Sequence, residues 1–200
     1  MYVTETTRKD WQTRYGIPQQ MHLKLEISLE EFEMVRRSQR DDRSHYITFF
    51  IVHDEKRVLI KKHFFPDGAY RAPSGGLERG ETLETGAARE AYEETGLVIK
   101  LRKYLLTIQA HFVHSEESID WVTDVFWVDA LSDTVRAHDT DEIADVRWGT
   151  FDELQGPIRQ SLLNTQRALF RYRVLLTDAT VKLLEDEPGT HRLFKSVRNL

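Results

Sequence analysis

The sequence predicts an α/β sandwich, with strands and helices in separate layers. Three stretches carry that expectation. Residues 45–65, "HYITFFIVHDEKRVLIKKHFF", are two apolar runs joined by a polar turn at Asp54 to Lys56, the pattern of a hairpin. "PDGAYRAPSGG" follows as a turn and glycine-rich loop, after which Thr82 to Thr95 has helical composition and Gly96 stands where a left-handed terminator belongs. Apolar strand-like runs then return in "LVIKLRKYLLTIQAHFV", "DWVTDVFWVDAL" and "DVRWGT", before a helical C-terminal segment.

The remaining segments are read in order. Residues 1 to about 20 are polar and irregular, with Tyr2, Trp11 and Tyr15 as the large anchors. "HLKLEIS" alternates as a short strand, and Ser28 with Glu31 forms a capping-box pattern ahead of a short helix. "SQRDDRS" reads as a charged linker and "LSDTVRAHDTDEIAD" as a long polar loop. Pro157 suits the first turn of a final long helix that Pro188 and Gly189 stop. Leu162, Leu169, Leu176 and Leu183 recur every seven residues along it, a stripe expected to pack in the core or in a dimer. The division that results is an N-terminal extension over 1–43, a core over 44–156, and a C-terminal helix and tail over 157–200.

Composition excludes several kinds of chemistry. The 40% hydrophobic content supports a real core, and a formal charge of -5 argues against a general nucleic-acid binder. There is no cysteine, so disulfides, zinc–cysteine sites and thiol catalysis are absent. The N-terminal segment has no apolar signal-peptide core, and no apolar run approaches the roughly 20 residues that span a bilayer. The expectation is a soluble, cytoplasmic protein without a membrane partner.

Chemistry concentrates between Gly75 and Leu97. Glu90, Glu93 and Glu94 stand at i, i+3 and i+4, so a helix sets their carboxylates on one face, where like charges repel. Glu81 precedes the helix and Arg89 is placed to pair with it. Gly75 and Gly76 let backbone approach a ligand, while Gly86, Ala87, Ala88 and Ala91 let the helix approach a sheet. Clustered oxygen donors select Mg²⁺, Mn²⁺ or Ca²⁺, and the spacing is not that of an EF-hand. A carboxylate cluster behind a glycine loop fits Mg²⁺ bound jointly with substrate phosphates.

On these residues the chain resembles the Nudix hydrolases. Their signature is Gly, five residues, Glu, seven residues, Arg-Glu, an aliphatic, any residue, Glu-Glu, any residue, Gly and an aliphatic. Gly75, Glu81, Arg89, Glu90, Glu93, Glu94, Gly96 and Leu97 occupy every required position, and Ala91 fills an aliphatic slot more often given to a larger residue. The resemblance implies an α/β/α sandwich around a mixed β-sheet, with the signature as a loop–helix–loop. It implies hydrolysis of a diphosphate linkage in a nucleoside diphosphate joined to another moiety, with Mg²⁺ or Mn²⁺ as cofactor. Glu90, Glu93 and Glu94, with a carbonyl at Gly75 or Gly76, would be metal ligands. Glu90 and Glu93 would also serve catalysis, and Arg89 and Glu81 would orient them. Family members differ in the general base, and Glu142 in the polar loop is the leading residue here, with Glu116 and Glu117 as competitors.

Substrate contacts are read from position. Arg71 and either Lys61 or Lys62 could meet phosphates, since strand alternation lets only one of the two lysines face the site. His111, Phe112 and His114 could line a base pocket. The proline that ADP-ribose-cleaving members often carry and the four-cysteine element of NADH-cleaving members are both missing. Two other readings stand beside the hydrolase: a ligand sensor of the same fold, and an isomerase or RNA-processing member. The intact glutamates and the acidic chain weigh against both. A homodimer through the first 40 residues or the final helix is a further expectation, with Trp11 or Tyr15 reaching a neighbour's nucleotide.

Overall fold

The computed structural model describes residues 3–39, 43 and 45–187. Its centre is a mixed seven-stranded sheet built from β1 (Gln19–Glu26), β2 (His45–His53), β3 (Lys56–Lys62), β4 (Ser74–Gly75), β5 (Ile99–His114), β6 (Glu117–Ala130) and β7 (Ile143–Gly149). The spatial order is β1-β5-β6-β2-β3-β7, and β4 pairs with β2. β1 runs parallel to β5 and β2 parallel to β6; the remaining pairs are antiparallel.

Alternation along the strands divides the apolar residues between two layers. Ile47, Phe49 and Ile51 of β2 face α1 (Glu5–Tyr15) and α3 (Leu83–Thr95), sharing a core with Trp11, Leu83, Ala87 and Ala91. Phe50 and Val52 face the opposite layer, formed by α2 (Leu29–Ser38) and the C-terminal helices, with Phe32, Val35, Leu162, Phe170 and Leu184. The period of two in the strands and the small residues of α3 thus produce the α/β/α sandwich.

The hairpin of β2 and β3 is paired only next to its turn, at Val52–Arg57 and His53–Lys56. Beyond that it forks, and residues 71–75 fill the fork. Arg71 exchanges backbone hydrogen bonds with Ile60 on one side, at 2.9 and 3.0 Å, while Ser74 and Gly75 pair with Thr48 and Ile47 on the other. The glycine-rich loop is therefore held by the sheet itself and delivered against α3.

Two expectations are corrected. The segment before residue 20 is not irregular, because Thr4 and Thr7 form a capping box and Glu5–Tyr15 is a helix. It lacks an apolar stripe, being fixed instead by Trp11, 1% exposed against Tyr104 and Phe126, and by Arg8 paired with buried Asp124 at 3.0 Å. Trp11 is thus committed to the core and cannot reach a neighbouring chain. Tyr15 packs edge-on against Phe126 and hydrogen-bonds Glu84.

The final helix likewise does not begin at Pro157. Thr150 caps α4 (Phe151–Glu153), Pro157 lies in a widened π turn over Leu154–Ile158, and α5 (Arg159–Asn164) continues from it. A proline has no amide to donate, and the wider turn accommodates that loss. Gln166, with φ of 58°, then breaks the chain before α6 (Ala168–Glu185). The leucine stripe packs on the sheet from both helices, with Leu162 and Leu176 buried and Leu169 and Leu183 partly so. The proposed stop at Pro188 and Gly189, the tail and most of "SQRDDRS" lie outside the described residues. Among the described residues no helix is long and apolar enough to cross a membrane.

Candidate active site

Thr82 caps α3 by accepting from the Thr85 amide at 3.2 Å, and Gly96 ends it at φ of 73°. Between them the helix lies close on the glycine loop because side chains are missing where the two meet. A Cβ on Gly75 would stand 1.8 Å from Cδ of Glu90, and one on Gly86 would stand 2.3 Å from Leu77 Cδ2. Gly75 is therefore a cradle for the Glu90 carboxylate. Ala91, fully buried in the adjoining core, makes the small aliphatic at this position a packing choice.

Arg89 is the hub of the charges. It donates to both oxygens of Glu81 at 2.8 and 2.9 Å, to the Gly76 carbonyl at 3.0 Å, to Glu90 at 2.9 Å and to Glu93 at 3.2 Å. Glu81 also accepts from the Glu78 amide at 2.6 Å. The hydrogen bond from Arg89 holds Glu81 below the usual carboxylate range, and that from Glu81 raises Arg89 further. One fork-shaped cation thus ties the loop, the helix and two of its glutamates together.

Glu94 is the buried member of the turn, set against the same short strand β4 that cradles Glu90. It is 5% exposed, accepts from the Ser74 amide at 2.8 Å and meets Arg71 at 3.4 Å. Burial pushes its pKa up to about 7, against Arg71 and Lys62 and with the help of Glu90. Burial also raises Glu90, opposed by Arg89. Glu93 is the most open of the three, with 46% of its side chain exposed.

Beside this turn lies a cavity of about 310 Å³ between the sheet, α2 and α6. Tyr46, Phe112 and Trp121 project into it from three neighbouring strands, and Lys62, Arg71, Ser74, Glu142 and Arg173 also line it. Arg71 and Ser74, both bonded to Glu94, join the cavity to the glutamate turn. Lys61 does not line it: the side chain pairs with Asp67 at 2.8 Å, while Lys62 pairs with Glu142. His111 bonds Asp120 at 2.7 Å and His114 bonds the Ile27 carbonyl at 3.0 Å, so of the three residues 111, 112 and 114 only Phe112 enters the cavity.

Glu142 reaches the site on a loop held by α3. The amides of His138 and Asp139 donate to the Glu93 carbonyl at 2.9 and 2.8 Å, and that of Arg136 to the Thr95 carbonyl at 2.9 Å. These bonds satisfy carbonyls that the end of a helix leaves open. His138 stacks on Tyr92 with ring centroids 4.4 Å apart. Glu117 is instead paired with Arg36 of α2 at 2.8 Å, and neither it nor Glu116 lines the cavity.

Among the described residues, no three His, Asp or Glu side chains already stand together as a metal-holding group. Arg89 occupies Glu90 and Glu93 instead. The donor chemistry nevertheless suits a hard divalent ion, because a buried and a half-buried carboxylate, both with raised pKa values, and a third open one share a single turn. The steric cradle at Gly75 holds one of them in place.

Sequence reasoning did not single out Tyr46, Trp121 or Arg173. Alternation could have found the first two, since Tyr46 and Trp121 share the cavity face with Phe112. Nothing in the local sequence marks Arg173.

Known proteins resemble this chain in part. The NAD-capped RNA hydrolase NudC of Edwardsiella ictaluri is 29% identical over 123 residues, covering 59% of this chain and 45% of its own. The oxidized purine nucleoside triphosphate hydrolase of Mus musculus is 37% identical over 79 residues, covering 38% of this chain and 51% of its own. The chain thus spans about half the length of the curated relatives it matches. A crystal structure of a MutT NUDIX hydrolase from Burkholderia pseudomallei aligns with a TM-score of 0.41 at 26% identity, covering 52% of this chain and 81% of that one. The NUDIX domain family model matches residues 43–171, which takes in the fork of the sheet, the glycine loop, α3 and the loop carrying Glu142. By that match the chain belongs to the NUDIX domain family.

Proposed function

We propose that the protein hydrolyses a diphosphate linkage in a nucleoside diphosphate joined to a second group, using Mg²⁺ or Mn²⁺. The observation that carries this reading is the junction between the glutamate turn and an aromatic, cationic cavity, made by Arg71 and Ser74. Glu90, Glu93 and Glu94 would hold the metal, with a backbone carbonyl at Gly75. When bound, the divalent ion would neutralise phosphate charge and make water a stronger nucleophile near neutral pH.

The chain's own residues supply the rest. Arg89 keeps Glu90 and Glu93 oriented through its bonds to the loop. Lys62 and Arg71, which line the cavity beside Glu94, would meet the phosphate oxygens. Glu142 takes the proton of the attacking water once the substrate's phosphates draw Lys62 away from it, a general-base role that suits a carboxylate on the cavity edge. Tyr46, Phe112 and Trp121 offer faces for a nucleobase.

The test is a phosphate-release screen with Mg²⁺ or Mn²⁺ over ADP-ribose, NDP-sugars, dinucleoside polyphosphates, NADH, CoA and nucleoside triphosphates. The names of the relatives put an NAD-capped RNA and an oxidized purine nucleoside triphosphate on the same panel. One clear substrate is expected, with turnover lowered about 10²-fold or more in Glu93→Gln because a charge that stabilises the transition state is removed. Unchanged turnover in that variant at saturating Mg²⁺ would refute the assignment. Silence across the panel, with metal still bound, would favour the ligand-sensor reading.

A further inference from the structure

Four cations line the cavity of a chain whose formal charge is -5: Lys62, Arg71, Arg167 and Arg173. Three are already matched to carboxylates, Lys62 with Glu142, Arg71 with Glu94, and Arg167 with Glu30 at 3.0 Å. Arg173 differs. It is half-buried on α6 and makes no hydrogen bond or ion pair among the described residues; its guanidinium lies 5.9 Å from the centre of the Tyr172 ring. Burial and then Arg71 depress its pKa, opposed by Tyr172, Tyr46 and Glu94, and the Glu94 carboxylate is already bonded to Arg71 and the Ser74 amide.

A half-buried guanidinium with no hydrogen-bonded anion is costly, and a fork of N–H donors fits phosphate oxygens. Arg173 also lies beyond residue 171, where the family match ends, as the cavity residues Met34, Val35 and Ser38 of α2 lie before residue 43, where it begins. Arg173 thus extends a wall that the matched residues Arg167, Leu169 and Phe170 also build.

We propose that Arg173 binds a phosphoryl group of the substrate, between the glutamate turn and a nucleobase held among Tyr46, Phe112 and Trp121. The substrate class is then a ring-bearing diphosphate, recognised by its anion from α6 and by its ring from the sheet. This deepens the proposed function and rests on it for the identity of the anion.

Calorimetric titration of the full chain with ADP, adenosine and methylenediphosphonate separates the two. In Arg173→Gln, ADP and methylenediphosphonate binding should weaken about 10- to 100-fold, as expected for loss of a charge-assisted contact, while adenosine binding changes less than about twofold. Arg173→Lys should fall between the wild type and Gln. The thermal midpoint of Arg173→Gln should hold or rise, because an unmatched cation has been removed from beside Arg71. Equal weakening of ADP and adenosine would mean a collapsed cavity and overturn the proposal, as would unchanged ADP binding or a wild type that binds neither anion. If the anion results hold but the wild type hydrolyses nothing in the screen, the anion site stands and the hydrolase reading fails.

Discussion

The glutamate turn of α3 and the α6 wall of the cavity border the proposed substrate space with opposite electrostatic designs. On α3 the charges are internally matched: Arg89 contacts Glu81, Glu90 and Glu93, and Glu94 has Arg71 and the Ser74 amide. On α6 the cavity-facing Arg173 has no such match. A matched network can be held rigidly without ligand, because its hydrogen bonds resist rearrangement. An unmatched cation instead gives a ligand something to neutralise. The difference matches the proposed division, with positioning on one wall and recognition on the other.

The most forceful way to break the contrast is through the backbone of the matched wall. Gly75→Ala places a methyl group where Glu90 lies and should lower turnover about 10²-fold, since displacement of about 1 Å at a reacting centre costs that much. Turnover within twofold of wild type would show that Glu90 has room to move and that Gly75 is not a cradle. Arg89→Lys probes the same wall more gently. A point charge cannot bridge Glu81, Gly76, Glu90 and Glu93 together, so kcat should fall about 10-fold with little change in KM. A KM effect alone would move Arg89 to substrate binding and erase the division between the walls.

The smallest expected effect comes from a buried group in neither wall, His45 on β2. Burial, then Arg8 and Arg43, lower its pKa from 6.5 to about 3, so the folded chain holds it neutral. Below pH 6.5 the unfolded chain takes up a proton that the folded one does not, and stability falls as pH drops from 6.5 toward 3. The loss approaches about 1.4 kcal/mol for each pH unit inside that window. Urea melts at pH 7 and pH 5.5 should therefore show a smaller drop in His45→Asn than in wild type, while Arg173→Gln should leave the drop unchanged. An equal drop in His45→Asn would locate the acid sensitivity elsewhere.

How much of this could be read from the chain follows from the same contrast. α3 was legible because its glutamates recur at helical spacing behind two glycines, a pattern that is costly unless used. The strands were legible from alternation, which also required that Lys61 and Lys62 diverge; which one faces the cavity is decided by the irregular pairing of β3 with β7 between them. α1 was not legible because Trp11 alone buries it and pairs such as Arg8 with Asp124 span distant parts of the sequence. Pro157 misled because a proline at the start of a helix and one in a π turn look alike until the turn is built. Arg173 was invisible for a different reason. Its significance is the lack of a partner in space, which no spacing along a sequence records.

The attachment of the 136–139 segment to the end of α3 constrains how this protein can vary. Polar surface loops are ordinarily where chains tolerate insertion and exchange their amide protons early. Here the amides of Arg136, His138 and Asp139 are bound to helix carbonyls, so their exchange should follow that of α3. Only two residues, Thr140 and Asp141, separate Asp139 from Glu142. Lengthening the chain there would shift the proposed base relative to the glutamate turn, whereas added residues around Leu131 to Asp133 would leave that spacing intact. The segment is better regarded as a bracket bolted to the helix than as a loop, and its length as a fixed dimension of the proposed site.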